Sequence, residues 1–233
     1  MPIGIIANVL SVIAGGLIGA ALQDRLPENY RTNLTMLFGA ASMGMGIASI
    51  VLMVNMPAVI LALILGLLLG MVIHLGEAIN KGAGMMMKMI GADAERAQDL
   101  ITVIVLFCAS GTGIYGALVS GMSGDHSILI AKSFLDFFTA MIFACSLGKS
   151  VSLVGIPQFV IMILLYLLAG VIFPLTTPAM INDFKACGGF LMLATGFRIM
   201  QLKAFPTADM IPAMVLVMPL SWFWANFVVP LIS

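Results

Sequence analysis

A lysine and an aspartate lie one helical turn apart inside a long apolar stretch of this sequence. Lys132 and Asp136 both fall within residues 128–148, which are long and apolar enough to span a membrane. A charged side chain at the centre of a spanning helix costs roughly 2.5–3.5 kcal/mol on insertion scales, so it is rarely retained without a role. A spacing of four residues puts both side chains on one helix face, where their charges partly neutralise each other.

Asp136 is the deeper of the two charged residues. Counted from Ser127 at 1.5 Å per residue, it lies about 13 Å inside the span, whereas the shallower Lys132 can extend to the outer interface. We interpret Asp136 as a proton or cation site, or as a group that holds a polar substrate, with Lys132 modulating its protonation. The alternative is an internal ion pair that fixes the register of the helices.

Other polar side chains in the predicted spans are candidates for the same binding site. They are Asn8, Ser110, Thr112, Ser133 and Asp183. The sequence predicts no catalytic site, because it contains no H-E-x-x-H motif and no Ser/His/Asp set that would meet in one layer. It also predicts no metal site and no cofactor, and three widely separated cysteines are typical of buried free thiols.

The composition identifies lipid as the solvent for most of the chain. Of the 233 residues 62% are hydrophobic and 9% are charged, against about 25% charged in ordinary soluble domains. The formal net charge is zero, which argues against nucleic acid as a partner because such proteins need a basic face.

The elements that must position these residues are membrane-spanning helices. Stretches of about 20 apolar residues predict an all-α, polytopic transmembrane bundle with about eight spans in one integral membrane domain, residues 1–233. The predicted spans are 3–22, 35–54, 57–76, 99–119, 127–147, 157–175, 184–202 and 208–231. Residues 77–98, which carry lysines among methionines, are expected to form an amphipathic helix at the membrane surface.

The positive charges orient these spans. With eight spans, one side receives Arg25, Arg31, Lys81, Lys88, Arg96, Lys149, Arg198 and Lys203, and the other only Lys185. The positive-inside rule makes the first side cytoplasmic, so both termini should lie outside the cytoplasm.

Glycines and prolines suggest further features of the bundle. Asn33, Gly39 and Gly46 resemble Asp183, Gly189 and Gly196 at a constant offset of 150, which is either an inverted repeat or a chance similarity. The Gly-rich residues 110–116 indicate either close helix packing or an unwound segment that lines a cavity. Pro212 and Pro219 predict a kink in the last span.

Two G-x-x-x-G pairs predict close helix contacts. Gly15 with Gly19, and Gly66 with Gly70, are typical of tight contacts inside a bundle, and a homo-oligomer interface is the alternative.

One segment resembles a known protein family. Residues 125–136, ending in Ala131-Lys132-Ser133-Phe134-Leu135-Asp136, are similar to the most recognisable segment of the bacterial domain-of-unknown-function 554 family, the YdfK/YqgA-like integral membrane proteins. Smaller matches occur at Asn8 with Gly15-Gly16 and Gly19, at Arg25-Leu26-Pro27, at Gly188-Gly189 with Gly196, and at Pro212-Ala213. The resemblance implies a multi-pass protein of the bacterial inner membrane and brings no established activity.

The sequence thus favours a transporter or channel for a small polar solute or ion, with the lipid bilayer as its surroundings and no enzymatic activity. The alternative is a non-transporting membrane scaffold that binds a partner through its G-x-x-x-G faces.

Overall fold

The chain is α-helical in its computed structural model, which describes residues 1–22, 27–90, 103–104, 106–108 and 110–232. These residues form helices and turns without a β-strand, which confirms the predicted all-α class. The helices are α1 (Ile3–Leu22), α2 (Glu28–Ile50), α3 (Met56–Val72), α4 (Leu75–Ile90), α5 (Gly111–Ser123), α6 (Ser127–Leu147), α7 (Gly155–Ile172), α8 (Pro178–Ile199) and α9 (Pro212–Phe223). Shorter segments are a helical turn at Ser150–Leu153, a 3-10 turn at Phe173–Leu175, a π-helical segment at Trp224–Val228 and a final turn at Val229–Ile232.

Among the described residues, five helical segments are long and apolar enough to cross a membrane. They are Ile3–Leu22, Glu28–Ile50, Ser127–Cys145, Ser150–Leu175 and Pro212–Leu231, and the bent pair of α3 and α4 would supply a sixth. The predicted count of eight is therefore not confirmed. The predicted span 99–119 runs partly outside the described residues, and α8 carries three charged residues while burying 12 of its 22 residues against protein.

Part of the predicted surface helix 77–98 forms α4, and its last part, with Asp93, Glu95 and Arg96, lies outside the described residues; its location at the membrane surface stays a prediction. A bend of 60° separates α3 from α4. His74 lies at this bend with a φ of 52°, in the left-handed region that few residues other than glycine adopt. Asp209 Oδ1 accepts a hydrogen bond of 2.8 Å from the Gly76 amide, which provides a negative charge at the start of α4.

The described chain forms two compact units. Unit 1 consists of Met1–Phe38 and Glu77–Val171, and unit 2 consists of Gly39–Gly76 and Ile172–Ser233. Each unit contains its own buried polar residues.

Close contact between α1 and α6 organises unit 1. A Cβ atom at Gly15 would overlap the carbonyl oxygen of Phe137, and one at Gly19 would overlap that of Met141. The two helices run in parallel, because the contacting positions advance together along both. The core beside them includes Val12, Phe107, Ala140 and Ala144.

The second G-x-x-x-G pair is used in the same way in unit 2. A Cβ atom at Gly66 would overlap the backbone of Ala213, and one at Gly70 would overlap the carbonyl oxygen of Asp209. Both G-x-x-x-G pairs therefore make the tight contacts within the protein that the sequence predicts.

The glycines of the predicted repeat also contact one another. Gly46 of α2 lies against the backbone of Gly189 in α8, and Gly39 lies against that of Gly196. Between them, Ser42 donates a hydrogen bond of 3.0 Å to the carbonyl oxygen of Met192. The similar glycine spacing in α2 and α8 thus has a direct cause in antiparallel packing, while the inverted repeat itself stays a prediction.

The Gly-rich segment of the fourth predicted span is both interrupted and closely packed. Ser110 has an extended backbone, with φ −69° and ψ 127°, between helical residues 106–108 and the start of α5. Within α5, a Cβ atom at Gly116 would meet the Leu129 side chain, and one at Gly121 would meet the carbonyl oxygen of Tyr166. The last predicted span is also irregular, since α9 contains Pro219 and gives way to the π-helical segment.

Candidate functional site

Four polar side chains from three helices meet in the interior of unit 1. Lys132 and Asp136 come from α6, Asn8 from α1 and Gln158 from α7. We call this group the unit-1 polar cluster. Asn8 and Gln158 are 0% exposed, Lys132 is 3% exposed and Asp136 is 6% exposed, so all four are removed from the surface of the protein.

Lys132 and Asp136 form a bidentate ion pair along one face of α6. The Lys132 ammonium donates to Asp136 Oδ1 at 2.7 Å and to Oδ2 at 2.6 Å. The Phe107 ring centroid lies 5.8 Å from Lys132 Nζ, within the range of a cation–π interaction. Lys132 therefore turns inward toward Asp136, instead of extending to the outer interface as its position in the sequence allows.

Asn8 links the ion pair to α1. Its side-chain amide donates to Asp136 Oδ2 at 2.8 Å. The approach is possible because α1 lies close to α6, as the contact of Gly4 with Leu129 and that of Gly15 with Phe137 show. Asn8 is thus one of two partners that Asp136 has in addition to Lys132.

Gln158 is the second additional partner, and it was not among the residues predicted for the site. Its side-chain amide donates to Asn8 Oδ1 at 2.9 Å and to Asp136 Oδ2 at 3.4 Å. The sequence contains a signal for it, since Gln158 is a strongly polar residue within the apolar stretch 157–175. That signal is weak without a structure, because a polar residue near a span end can face the interface.

The cluster is electrically neutral as a whole and rich in donors to one carboxylate. Asp136 Oδ2 accepts from an ammonium and two amides, so a cation or a proton that binds at this oxygen competes with these donors. Removal of either charge leaves the other buried and uncompensated, which is strongly unfavourable. The arrangement can therefore couple the occupancy of Asp136 to the contacts among α1, α6 and α7.

Three of the predicted site residues lie near the cluster without forming part of its core. Ser133 donates a hydrogen bond of 2.7 Å to the Leu129 carbonyl oxygen of its own helix. Ser110 precedes α5, and Thr112 is buried in the first turn of that helix. The same turn touches Lys132, since a Cβ atom at Gly113 would lie 3.2 Å from Lys132 Cε.

Asp183 belongs to unit 2, where it has its own set of partners. Its Oδ1 accepts from the amides of Val54 and Asn55 at 2.8 and 2.9 Å. Its Oδ2 accepts from Asn55 Nδ2 at 2.9 Å and from the Ser221 hydroxyl at 2.6 Å. These contacts place a carboxylate at the start of α3, where the helix dipole favours negative charge. We call Asn55, Asp183 and Ser221 the unit-2 polar cluster.

The two clusters share one pairing and differ in one residue. In each, an asparagine near the start of a G-x-x-x-G helix donates to an aspartate 128 positions later. Four residues before Asp136 stands Lys132, whereas four residues before Asp183 stands Ala179. The lysine counter-ion on the same helix face is therefore a feature of the unit-1 polar cluster.

Comparison with known proteins places the chain among uncharacterised membrane proteins. The family model described as "Protein of unknown function (DUF554)" matches residues 3–222. The uncharacterized protein YqgA of Escherichia coli (strain K12) is 49% identical over 230 residues, covering 96% of this chain and 98% of that protein. The uncharacterized membrane protein YdfK of Bacillus subtilis (strain 168) is 28% identical over 219 residues, covering 91% and 93%. No solved structure matches the chain.

Proposed function

The chain belongs to the DUF554 family, an uncharacterised family with a membrane protein among its members, and from this premise we propose that it moves a small polar solute or ion across the membrane. The membrane setting follows from the family and from the apolar helices. The transport activity is inferred from the unit-1 polar cluster.

The observation that carries the proposal is the buried ion pair of Lys132 and Asp136, bonded to amides from two other helices. Buried ion pairs often stabilise a protein no better than well-packed apolar residues of similar volume do. Ionisable residues inside membrane proteins typically mark ion or substrate pathways. We therefore interpret the cluster, which connects three helices through one carboxylate, as a site of binding and release.

The cluster provides a simple exchange mechanism. When a proton or a cationic group binds Asp136, the Lys132 ammonium loses its counter-charge, and the amide donors of Asn8 and Gln158 lose their charged acceptor. The contacts among α1, α6 and α7 then weaken together, which allows the helices to rearrange around the site. Return of Lys132 to Asp136 restores the first arrangement. We assign Ser110, Thr112 and Ser133 the role of accessory polar groups, because Gly113 of the same turn lies beside Lys132 and Ser133 follows Lys132 in α6.

The scaffold alternative has less support. It depended on G-x-x-x-G faces that remain free for a partner, whereas Gly15, Gly19, Gly66 and Gly70 contact backbone within their own units. We propose transport rather than catalysis, because the Lys132 amine, the group of nucleophile type in the cluster, is engaged in the ion pair with Asp136.

We place the protein in the bacterial cytoplasmic membrane with both termini outside the cytoplasm. Support comes from the distribution of positive charges along the sequence, eight on one side of the predicted spans against one on the other.

The test is flux into vesicles that contain the purified protein. A panel of small polar solutes and cations is offered to wild-type protein, and proton movement is followed with a pH-sensitive dye. Asp136→Asn should abolish the flux that wild type shows. The matched control is Asp125→Asn, the same change at a carboxylate that accepts from Ser127 at the start of the same helix. Flux in Asp136→Asn at the wild-type rate would contradict the proposal.

A further inference from the structure

Two buried polar atoms on one side of unit 1 have no hydrogen-bond partner within the described protein. They are the side-chain carbonyl oxygen of Gln158, Oε1, and the hydroxyl oxygen of Ser152. A buried polar atom left unpaired costs about 1–3 kcal/mol, so such atoms are usually satisfied by ordered water or by a ligand. Both atoms lie within residues 152–158, and each can bind an ordered water molecule.

The orientation of Gln158 is fixed by its partners. Asn8 donates through its amide nitrogen to Asp136, which leaves Asn8 Oδ1 as an acceptor for Gln158. The carboxylate of Asp136 also only accepts, so Gln158 must direct its nitrogen toward the cluster. Gln158 Oε1 therefore points away from these partners and needs a donor from elsewhere.

Ser152 lies on the same line of contact between α1 and residues 150–158, which we call the seam, and it is closer to the end of the helices. A Cβ atom at Gly16 of α1 would overlap the Ser152 hydroxyl, and one at Gly155 would lie 2.7 Å from Ile13 Cγ1. Together with the Gln158–Asn8 bond, these contacts show that α1 and residues 150–158 run antiparallel. Six residues separate Ser152 from Gln158, which is about 9 Å along a helix. Exposed Lys149 marks the nearest end of this seam.

We propose that a chain of water molecules runs along the edge of the contact between α1 and residues 150–158 and delivers protons to Asp136 from the end marked by Lys149. The water nearest the cluster donates to Gln158 Oε1, and another bonds the Ser152 hydroxyl. A proton passed along this chain forms an O–H bond with the Asp136 carboxylate, and the chain recovers a proton from bulk water. Asp136 then no longer balances the Lys132 charge.

The groups that surround Asp136 fit this assignment. Among the described residues, its charged neighbour is Lys132 on the same helix, and the Cys108 thiol lies within electrostatic range of both. The residues that contact it from α1 and α7 are the neutral amides of Asn8 and Gln158. The inference rests on the proposed function, because it names the proton as the species exchanged at Asp136.

Cysteine reactivity tests the path without knowledge of the solute. Ser152→Cys, a nearly isosteric change, is treated with N-ethylmaleimide in native membranes, and labelling is measured by mass spectrometry. Val154→Cys is the matched control, since Val154 is also buried on the same segment, at 1% exposure against 8% for Ser152. Native Cys145 and Cys187, both buried, are internal references. We expect the thiol at position 152 to react more than about tenfold faster than the one at position 154, because hydration favours the reactive thiolate. Equal rates would overturn the path.

Radiolytic footprinting of the wild-type protein provides a second measurement that requires no variant. Hydroxyl radicals formed from bound water should oxidise Met162, which lies one turn after Gln158 and contacts the Gly113 region, faster than Met192 of unit 2. Both methionines are buried, at 2% and 0% exposure, so equal resistance would count against water in the seam. If Met162 is oxidised but flux does not depend on Asp136, the proposed transport is rejected and the water path stands. If Met162 resists oxidation but flux does depend on Asp136, the water path is rejected and the proposed transport stands.

Discussion

Removal of one member of the Lys132–Asp136 pair should destabilise the protein far more than removal of both. Lys132→Met leaves the Asp136 carboxylate with only the amides of Asn8 and Gln158, and Asp136→Leu leaves the ammonium with only the Phe107 ring within the described cluster. Breaking a buried pair in this way costs about 3–5 kcal/mol. In Lys132→Met the Asp136 carboxylate keeps two amide donors, whereas in Asp136→Leu the Lys132 ammonium loses both of its carboxylate acceptors. Asp136→Leu should therefore be the more damaging single change.

The double variant Lys132→Met with Asp136→Leu removes both charges and keeps similar side-chain volume. Such replacements of buried ion pairs are often neutral or stabilising, so the double variant should melt close to wild type. At about 2–4 °C per kcal/mol for a chain of this length, each single variant should lose about 6–20 °C.

The assay is thermal unfolding in lipid nanodiscs, followed by intrinsic fluorescence. Lys149→Met is the matched control, because it makes the same change at an exposed lysine and should shift the melting temperature little. The reasoning is refuted if Lys132→Met behaves like Lys149→Met, or if the double variant loses as much as the two single variants combined.

Other predictions concern packing, the unit-2 polar cluster and topology. Gly15→Ala should lower the free energy of unfolding by about 1–3 kcal/mol, because the new Cβ overlaps the Phe137 carbonyl oxygen. Gly170→Ala should leave it unchanged or raise it, because no atom lies within 4 Å of a Cβ there. An equal effect of the two changes would argue against close contact of α1 with α6. Asp183→Ala should lower the free energy of unfolding by about 1–3 kcal/mol for each backbone amide left unpaired at the start of α3. Asp183→Asn should lower it less. A lower melting temperature for Asp183→Asn than for Asp183→Ala would contradict this account. A C-terminal reporter that is active only in the cytoplasm should stay silent, and a strong signal would refute the eight-span topology.

The sequence predicts local features of this protein well. The bounds expected for the first and fifth spans, 3–22 and 127–147, coincide with α1 and α6, because continuous apolar stretches and their polar ends determine where a helix can lie in lipid. The spacing of Lys132 and Asp136 likewise determines that both can share one face of α6.

Partners from distant helices could not be read from the sequence in the same way. Nothing in the spacing of Asn8 and Gln158 specifies that both side chains reach Asp136, since this depends on glycines that let α1 approach its neighbours. Asp183 shows the converse difficulty. A buried aspartate in an apolar stretch resembles a binding residue, and the sequence does not show that four donors at the start of α3 and in α9 also give it a structural role.

Flux through the double variant Lys132→Met with Asp136→Leu tests the central claim most directly. If the ion pair serves only to hold helices together, a variant that regains wild-type stability should also regain wild-type flux. Our account predicts a stable, folded protein whose solute or ion flux falls to the level of empty vesicles. Flux at the wild-type rate in this variant would contradict it.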